Sequence, residues 1–447
     1  MVRKIRIVIY KSTGKIVGGD ANYLFDLLNN LDLTTYDVIL YADKNPIFEK
    51  RANISLRKDI RINYLNTKPK IFSYNPIEVV YEWLIKKKSS YLIKILDHRI
   101  GGRSIYRYLR FSYVVLTRLI TLAPITDKII NAIIFYKVFQ ANKQKIDIFH
   151  VNNGGYPAKE AALIAIIVAH FCGIKNIIMT FHNQPCQRRF WKYLSDFAYD
   201  KMISKYCKLI ISVSDDNKNE LVSKRRFPPD KIKTIYYGIP DCEKIEKSKI
   251  YSLKTKLNID HSIPILLTVG NLDEPRKGHT FLFDALDKVK AQFNDFKLFV
   301  VGSGRVDRKN FLTNYVGMRG LDKNIIFLGE RKDIPLLNAA VCLVIVPSIG
   351  AEGLPYTIIE GMRAGKPVIT TDTSGCTEAI KDNFNGLIVP KGNVNMLAAA
   401  ILRLLRDEEL RGKLGKEARK SFLDKFLLSK MISEHQAVYQ AISLVRL

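Results

Sequence analysis

The stretch SIGAEGLPYTIIEGMRAGKPVI, residues 348–369, decides how the C-terminal half of this chain is read. Pro355 suits the first turn of a helix, where its missing N–H costs nothing, while Gly365 with Pro367 just beyond forms a natural stop. YTIIEGMRA is therefore predicted as a short helix with SIGAEGL as its entry loop. That puts Glu352 before the helix N-terminus and Glu360 roughly five residues along, about 7.5 Å further at 1.5 Å per residue. Free backbone N–H groups around Gly353, Leu354 and Tyr356, on either side of Pro355 and backed by the helix dipole, favour phosphate oxygens. Carboxylates accept hydrogen bonds from hydroxyls instead. Phosphate at the centre, with a hydroxyl-bearing ring near each glutamate, describes a nucleotide-diphosphate sugar. The plainer alternative makes Glu352 a cap and Glu360 an ordinary helix residue.

The surroundings favour the ligand reading. GNLDEPRKG, residues 270–278, follows the strand ILLTV, so Arg276 and Lys277 stand at the carboxyl end of a parallel strand, where open α/β sheets bind ligands. Basic groups there neutralise the growing charge of a diphosphate leaving group. Strand, glycine turn and helix alternate through FLFDALDKV, FKLFVVGSG, NIIFLGE, IPLLNAA and CLVIVPS. The same alternation opens the chain: strand residues 3–10, the turn KSTGKIVGG, then a helix with Tyr23, Leu24, Leu27, Leu28 and Leu31 at helical spacing behind an Asp20 cap. DIFHVNNGG, AKEAALIAIIVAHF, NIIMTFHN and LIISVSDD continue it. Such alternation implies α/β architecture with two doubly wound, Rossmann-like parallel sheets facing across a cleft.

A chain of 447 residues exceeds one ordinary core. The charged stretch after Gly238 sets the expected boundary: an N-terminal domain over 1–245, a C-terminal domain over 246–424, and a final helix over 425–447 that packs on either. Residues 82–145 differ in kind, with about thirteen Lys or Arg against three acidic residues, interleaved with aromatics. They read as a basic amphipathic insertion suited to an anionic membrane surface; a solvated face and a nucleic-acid patch are the rival readings. The net charge of +28 calls for a polyanionic partner of some kind.

Several classes are excluded. Six scattered cysteines without a CxxC pair argue against zinc and a disulfide framework. No uncharged run of about 18 residues is present to span a bilayer, and no secretory h-region follows the N-terminus. A cytoplasmic chain, peripheral on the inner face of the membrane, is expected. VGSGR lacks the third glycine of a dinucleotide fingerprint. With no DxD loop, no metal and no cofactor are expected. His150 and His182 both end apolar strands; His182 is taken as functional.

Taken together, G-N-L-x-x-x-R-K-G, V-V-G-S-G at 300–304, F-L-G-E, P-S-x-G-x-E-G-x-P-x-x-x-x-E-G-M-x-A-G-K-P-V-I and N-x-G-L-I-V-P at 383–390 resemble the retaining glycosyltransferases of family 4, with a GT-B fold. GGD at 18–20, TFH ending at His182, VSDDN and YYGIP extend the resemblance into the N-terminal half. It implies that Glu352 contacts donor-sugar hydroxyls, Glu360 the ribose, and Lys277 the diphosphate. His182 would face the donor sugar, and Gly18 and Gly19 would bring backbone to phosphate or acceptor. Gly302, Glu330 and Arg331 fall in matched segments and join the donor-binding set. The family usually has Arg where Asn271 stands, so either Arg276 supplies the second cation or the site binds the diphosphate more weakly. The implied reaction moves a hexose from a nucleotide-diphosphate donor, UDP favoured, to a lipid-linked or oligosaccharide acceptor in cell-surface glycan synthesis such as lipopolysaccharide or capsule. A GT-B isomerase of nucleotide sugars is the rival enzyme. A nucleic-acid-binding protein is the rival of another class, and it leaves the glutamate pair unexplained.

Overall fold

The computed structural model describes residues 3–13, 18–67, 123–142, 146–156, 159–186 and 193–444. Two all-parallel sheets organise them. In the first, strands β1 (Ile5–Lys11), β2 (Tyr36–Asp43), β3 (Arg61–Leu65), β4 (Ile148–Asn153), β5 (Ile177–Phe181), β6 (Leu209–Ser212) and β7 (Ile232–Thr234) lie in the order β3-β2-β1-β4-β5-β6-β7. In the second, β8 (Ile265–Val269), β9 (Lys297–Val301), β10 (Ile325–Gly329), β11 (Leu343–Val346), β12 (Val368–Thr371) and β13 (Gly386–Val389) lie in the order β10-β9-β8-β11-β12-β13. Every residue of β4, β5, β11 and β12 is buried. Helices cover both faces of such strands, so continuous apolar runs are tolerated where a half-exposed sheet would alternate. Alternation survives in the partition: Ile7 and Ile9 join one apolar cluster and Val8 and Tyr10 the other.

Three features separate the folded chain from a simple reading of its sequence. First, the charged connection after Gly238 contains a helix, Lys247–Lys256, with only Leu253 buried, so its apolar periodicity is too weak to read. Second, of the basic stretch over 82–145, residues 82–122 and 143–145 lie outside the described residues, while Ala123–Asn142 is a helix in the crossover between β3 and β4. Phe135 meets Tyr10 and Phe139 meets Phe149, each with ring centroids 4.9 Å apart, so this segment belongs to the first sheet's core. Its other side leaves Ile129, Ile133 and Tyr136 about half exposed. Third, helix Leu428–Leu444 returns to the first sheet, burying Met431, His435 and Tyr439. The chain crosses between the halves where Ile239 N–H donates to Phe426 O at 3.0 Å and Leu428 N–H to Ile239 O at 3.0 Å. Gly238 is required there, since a Cβ would stand 2.6 Å from the Leu427 carbonyl oxygen. One apolar cluster runs from β1 through Tyr237 and Ile239 to Leu354 and Ile358, joining the halves.

Candidate functional site

In the second sheet the chain leaves β8 for β9 and β10 on one side and returns to β11 on the other. The loops after β8 and β11 therefore diverge, opening a crevice at the strand carboxyl ends. The β8 loop carries Arg276 and Lys277 in a short 3-10 turn, Pro275–Lys277. Gly278 follows at φ 71°, with an added Cβ only 1.8 Å from the Pro347 carbonyl oxygen, so a glycine lets the two loops touch. From the β11 loop comes Glu352, 4% exposed. Its Oε1 accepts from Lys277 Nζ at 2.8 Å and Ser348 Oγ at 2.9 Å, and its Oε2 pairs with Arg276 Nη1 at 2.8 Å. Burial raises the Glu352 pKa, but Lys277 and then Arg276 outweigh it and hold the carboxyl below its ordinary value. The cluster thus keeps an anion and two cations at neutral pH.

Glu360 is treated differently by the fold. It lies on helix Tyr356–Arg363, whose N-terminus has no side-chain cap. Among the described residues no hydrogen bond or ion pair engages the Glu360 carboxyl. Burial lifts its pKa to about 7, with Arg363 pulling the other way. It is poised to accept hydroxyl hydrogen bonds and titrates near neutrality.

The first sheet has its own switch point, between β1 and β4. Gly18 and Gly19 start the helix Gly19–Asn30 beside it. A Cβ on Gly19 would stand 3.0 Å from the Tyr356 ring, and one on Gly353 only 1.8 Å from the His182 carbonyl oxygen. The two switch points therefore meet through glycines. His182, just past β5, is buried; its Nδ1 lies 2.9 Å from Tyr237 Oη, and Nε2 has no partner among the described residues. Burial drops its pKa to about 3, only partly opposed by Asp20, so the imidazole is neutral. Beside it, buried Lys11 pairs with Asp20. The Asp20 carboxyl sits below its ordinary value because the Lys11 ammonium outweighs burial. Asn152, in register with Lys11 on β1 and Thr180 on β5, leaves both side-chain amide atoms without a partner among the described residues.

Family models match both halves: "Glycosyl transferases group 1" over residues 251–421 and "Glycosyltransferase Family 4" over residues 97–241. The chain belongs to glycosyltransferase family 4. An Escherichia coli UDP-Gal:alpha-D-GlcNAc-diphosphoundecaprenol alpha-1,3-galactosyltransferase is 24% identical over 69% of this chain and 78% of that protein. A phosphatidyl-myo-inositol mannosyltransferase of Mycobacterium leprae is 36% identical over 33% of this chain and 38% of that protein. An uncharacterised glycosyltransferase of Methanocaldococcus jannaschii matches at 28% over 52% of this chain, and the match spans 59% of that relative's own length. Among solved structures, Anabaena HepE in complex with UDP superposes with a TM-score of 0.73 at 19% identity, covering 98% of this chain and 100% of that one. A Rickettsia africae glycosyltransferase gives 0.73 at 21%, covering 98% of each chain. These likenesses establish the GT-B fold of this family 4 member.

The remaining expected residues divide. Gly353, Leu354 and Pro355 are buried in the loop that meets His182. Gly302, at φ 152°, brings the turn after β9 against the Gly270 carbonyl, where a Cβ would stand 1.9 Å away, so it shapes the β8 loop. Asn271 spends its Oδ1 on the Asp273 N–H at 2.8 Å, a turn-forming bond. Arg276 is consequently the second cation beside Lys277. Glu330 is exposed after the edge strand β10, and Arg331 pairs through Nε with Asp333 at 2.8 Å; among the described residues no bond joins either to the Glu352 cluster. His150 is held by Tyr439 Oη at 2.8 Å and Thr180 Oγ1 at 2.7 Å, a core role. Sequence reading passed over Lys11, Asn152 and Tyr237 as site residues and took Asp20 as a cap. A lysine directly after the apolar run Ile7–Tyr10 was the available signal.

Proposed function

We propose that the protein is a retaining hexosyltransferase taking its sugar from a nucleotide-diphosphate donor, UDP favoured, and passing it to a hydroxyl of a lipid-linked or oligosaccharide acceptor in cell-surface glycan synthesis. One observation carries this: the Glu352–Lys277–Arg276 cluster at one switch point lies against His182 at the other. Lys277 and Arg276 take the diphosphate, Glu352 the sugar hydroxyls, and Glu360 the ribose. Gly18 and Gly19 supply backbone beside Tyr356. His182, neutral, offers Nε2 to the sugar. The C1–O bond to phosphate breaks as the acceptor oxygen bonds C1 on the same face. The acceptor proton passes to the departing phosphate oxygen, whose charge the two cations stabilise.

No helix among the described residues is long and apolar enough to cross a membrane. Peripheral docking on the inner face of the cytoplasmic membrane is supported by the lysine- and arginine-rich sequence over 82–122 and by exposed Ile129, Ile133 and Tyr136 on the helix that follows it. The E. coli and Mycobacterium leprae relatives carry diphosphoundecaprenol and phosphatidyl-inositol in their names, which supports a lipid acceptor. Melting the protein against UDP, GDP, ADP and their sugars tests the donor, because a bound ligand raises apparent stability by mass action. A rise with one nucleotide, followed by transfer only on adding an undecaprenyl-diphosphate sugar, supports the reading. No response to any nucleotide refutes it, and epimerised donor without acceptor points to the isomerase.

A further inference from the structure

Helix Asp215–Arg225 of the first sheet's half starts at the domain cleft. Its first N–H groups are satisfied by a carboxylate from the other half. Glu378 Oε1 accepts from Asp215 N–H at 2.7 Å and Glu378 Oε2 from Asp216 N–H at 3.1 Å. The Tyr236 hydroxyl donates to Glu378 Oε1 at 2.8 Å, beside Asp215 Oδ2 at 3.0 Å. The exchange is reciprocal. Asp216 Oδ2 accepts from Gly375 N–H at 3.1 Å and lies 3.4 Å from Thr377 Oγ1, so each half holds a turn of the other with one carboxylate. Charge-assisted bonds to free helix N–H groups are among the stronger neutral-pH contacts available to an exposed interface.

This clamp adjoins the site. Gly375, at φ 78°, packs so tightly that a Cβ would stand 2.1 Å from the Gly353 carbonyl oxygen and 2.8 Å from that of Glu352. Gly353 in turn abuts the His182 carbonyl. A rigid path therefore runs from Asp216 and Glu378 through Gly375 to the loop bearing Glu352, and from there to His182. We propose that Asp216 and Glu378 are positioning residues for transfer: by clamping the halves together they set the distance between Glu352 and His182, without touching the ligand themselves. The consequence for catalysis rests on the donor reading above; the clamp itself does not.

The test uses the full chain as Glu378→Gln, Glu378→Ala and Asp216→Asn. Hydrogen–deuterium exchange is followed in peptides covering 213–225 and 373–380, alongside UDP affinity by calorimetry and UDP release from the UDP-sugar selected by the melting screen. Each variant is expected to raise exchange several-fold in both segments, including the one in the half it does not belong to. The kcat should fall at least tenfold in the alanine variant while UDP affinity stays within twofold, since the side chains proposed for the diphosphate and ribose, Lys277, Arg276 and Glu360, all lie on the second half. Glu378→Gln, which keeps an acceptor oxygen, should lie between. Exchange that changes only in the mutated half overturns the clamp, as does a loss of UDP affinity in step with kcat. If the unmutated protein binds no nucleotide, the donor reading fails, and the exchange result still upholds or overturns the clamp.

Discussion

Replacing Glu352 by Gln keeps the shape of the side chain and removes its charge. In the native structure that charge holds Lys277 Nζ and Arg276 Nη1, each at 2.8 Å. A hydrogen bond to a charged group contributes about 1.5–3 kcal/mol, and breaking a buried pair costs about 3–5 kcal/mol. Here the stranded cations are not fully buried: the Lys277 side chain is 20% exposed and that of Arg276 36%. Both recover part of their hydration, and Arg276 keeps its pairing with Glu274. The expected loss is therefore about 2–3 kcal/mol at pH 7, toward the lower end of those ranges. For a domain of this size that corresponds to a fall in melting temperature of roughly 4–12 °C. The pH dependence has a definite sign. The folded carboxyl lies below its ordinary value of 4.5, so its contribution is complete above about pH 5 and is lost as pH falls through the folded value. Urea or thermal unfolding of both proteins at pH 7 and pH 3.5 should show the deficit narrowing on acidification. Equal stability at pH 7, or a deficit that does not change with pH, refutes the reasoning.

Three further outcomes are expected. Removing the Lys277 ammonium as Lys277→Ala should slow transfer by about ten- to a hundredfold, the equivalent of roughly 1.5–3 kcal/mol in the transition state, read as kcat with the preferred donor; unchanged turnover removes the diphosphate role. Glu360, with a pKa near 7, should bind ribose hydroxyls better when ionised, so nucleotide affinity rises from pH 6 to pH 8 in the native protein and is flat in Glu360→Gln, as calorimetry at both pH values would show. The unliganded protein should lose stability over the same climb in pH, because an acid whose folded pKa is raised binds its proton more tightly in the folded state. Gly353→Ala would set a Cβ 1.8 Å from the His182 carbonyl oxygen, where neither backbone can yield. Forced separation of the halves should cut transfer at least tenfold; a crystal structure of the variant with the contact unaltered would count against it.

Local signals made the fold class legible. Apolar strands ending in glycine turns and followed by capped helices admit few arrangements other than parallel sheets covered on both faces, because the strands have no polar side to expose. The helix after Pro355 was equally readable, since proline and glycine act on their own backbone. Such signals carry information over a few residues. They could not say that Arg276 and Lys277 both turn onto Glu352 while Asn271 is drawn into a turn bond within its own loop. Nor could periodicity distinguish Ala123–Asn142 from the basic stretch before it, when the burial of Phe135 and Phe139 ties it to the sheet.

By itself, then, the sequence determined the layers of this protein, the positions of its turns and the residue types gathered at strand ends, since each depends on neighbours close along the chain. The tertiary structure alone decided that Glu352 meets Lys277, 75 positions away, and that Gly353 rests on His182. It alone decided that Asp216 and Glu378 hold one another's helical turns. Those contacts come from strand order and from how two halves close, and strand order is set by the packing of the whole core rather than by any segment of it.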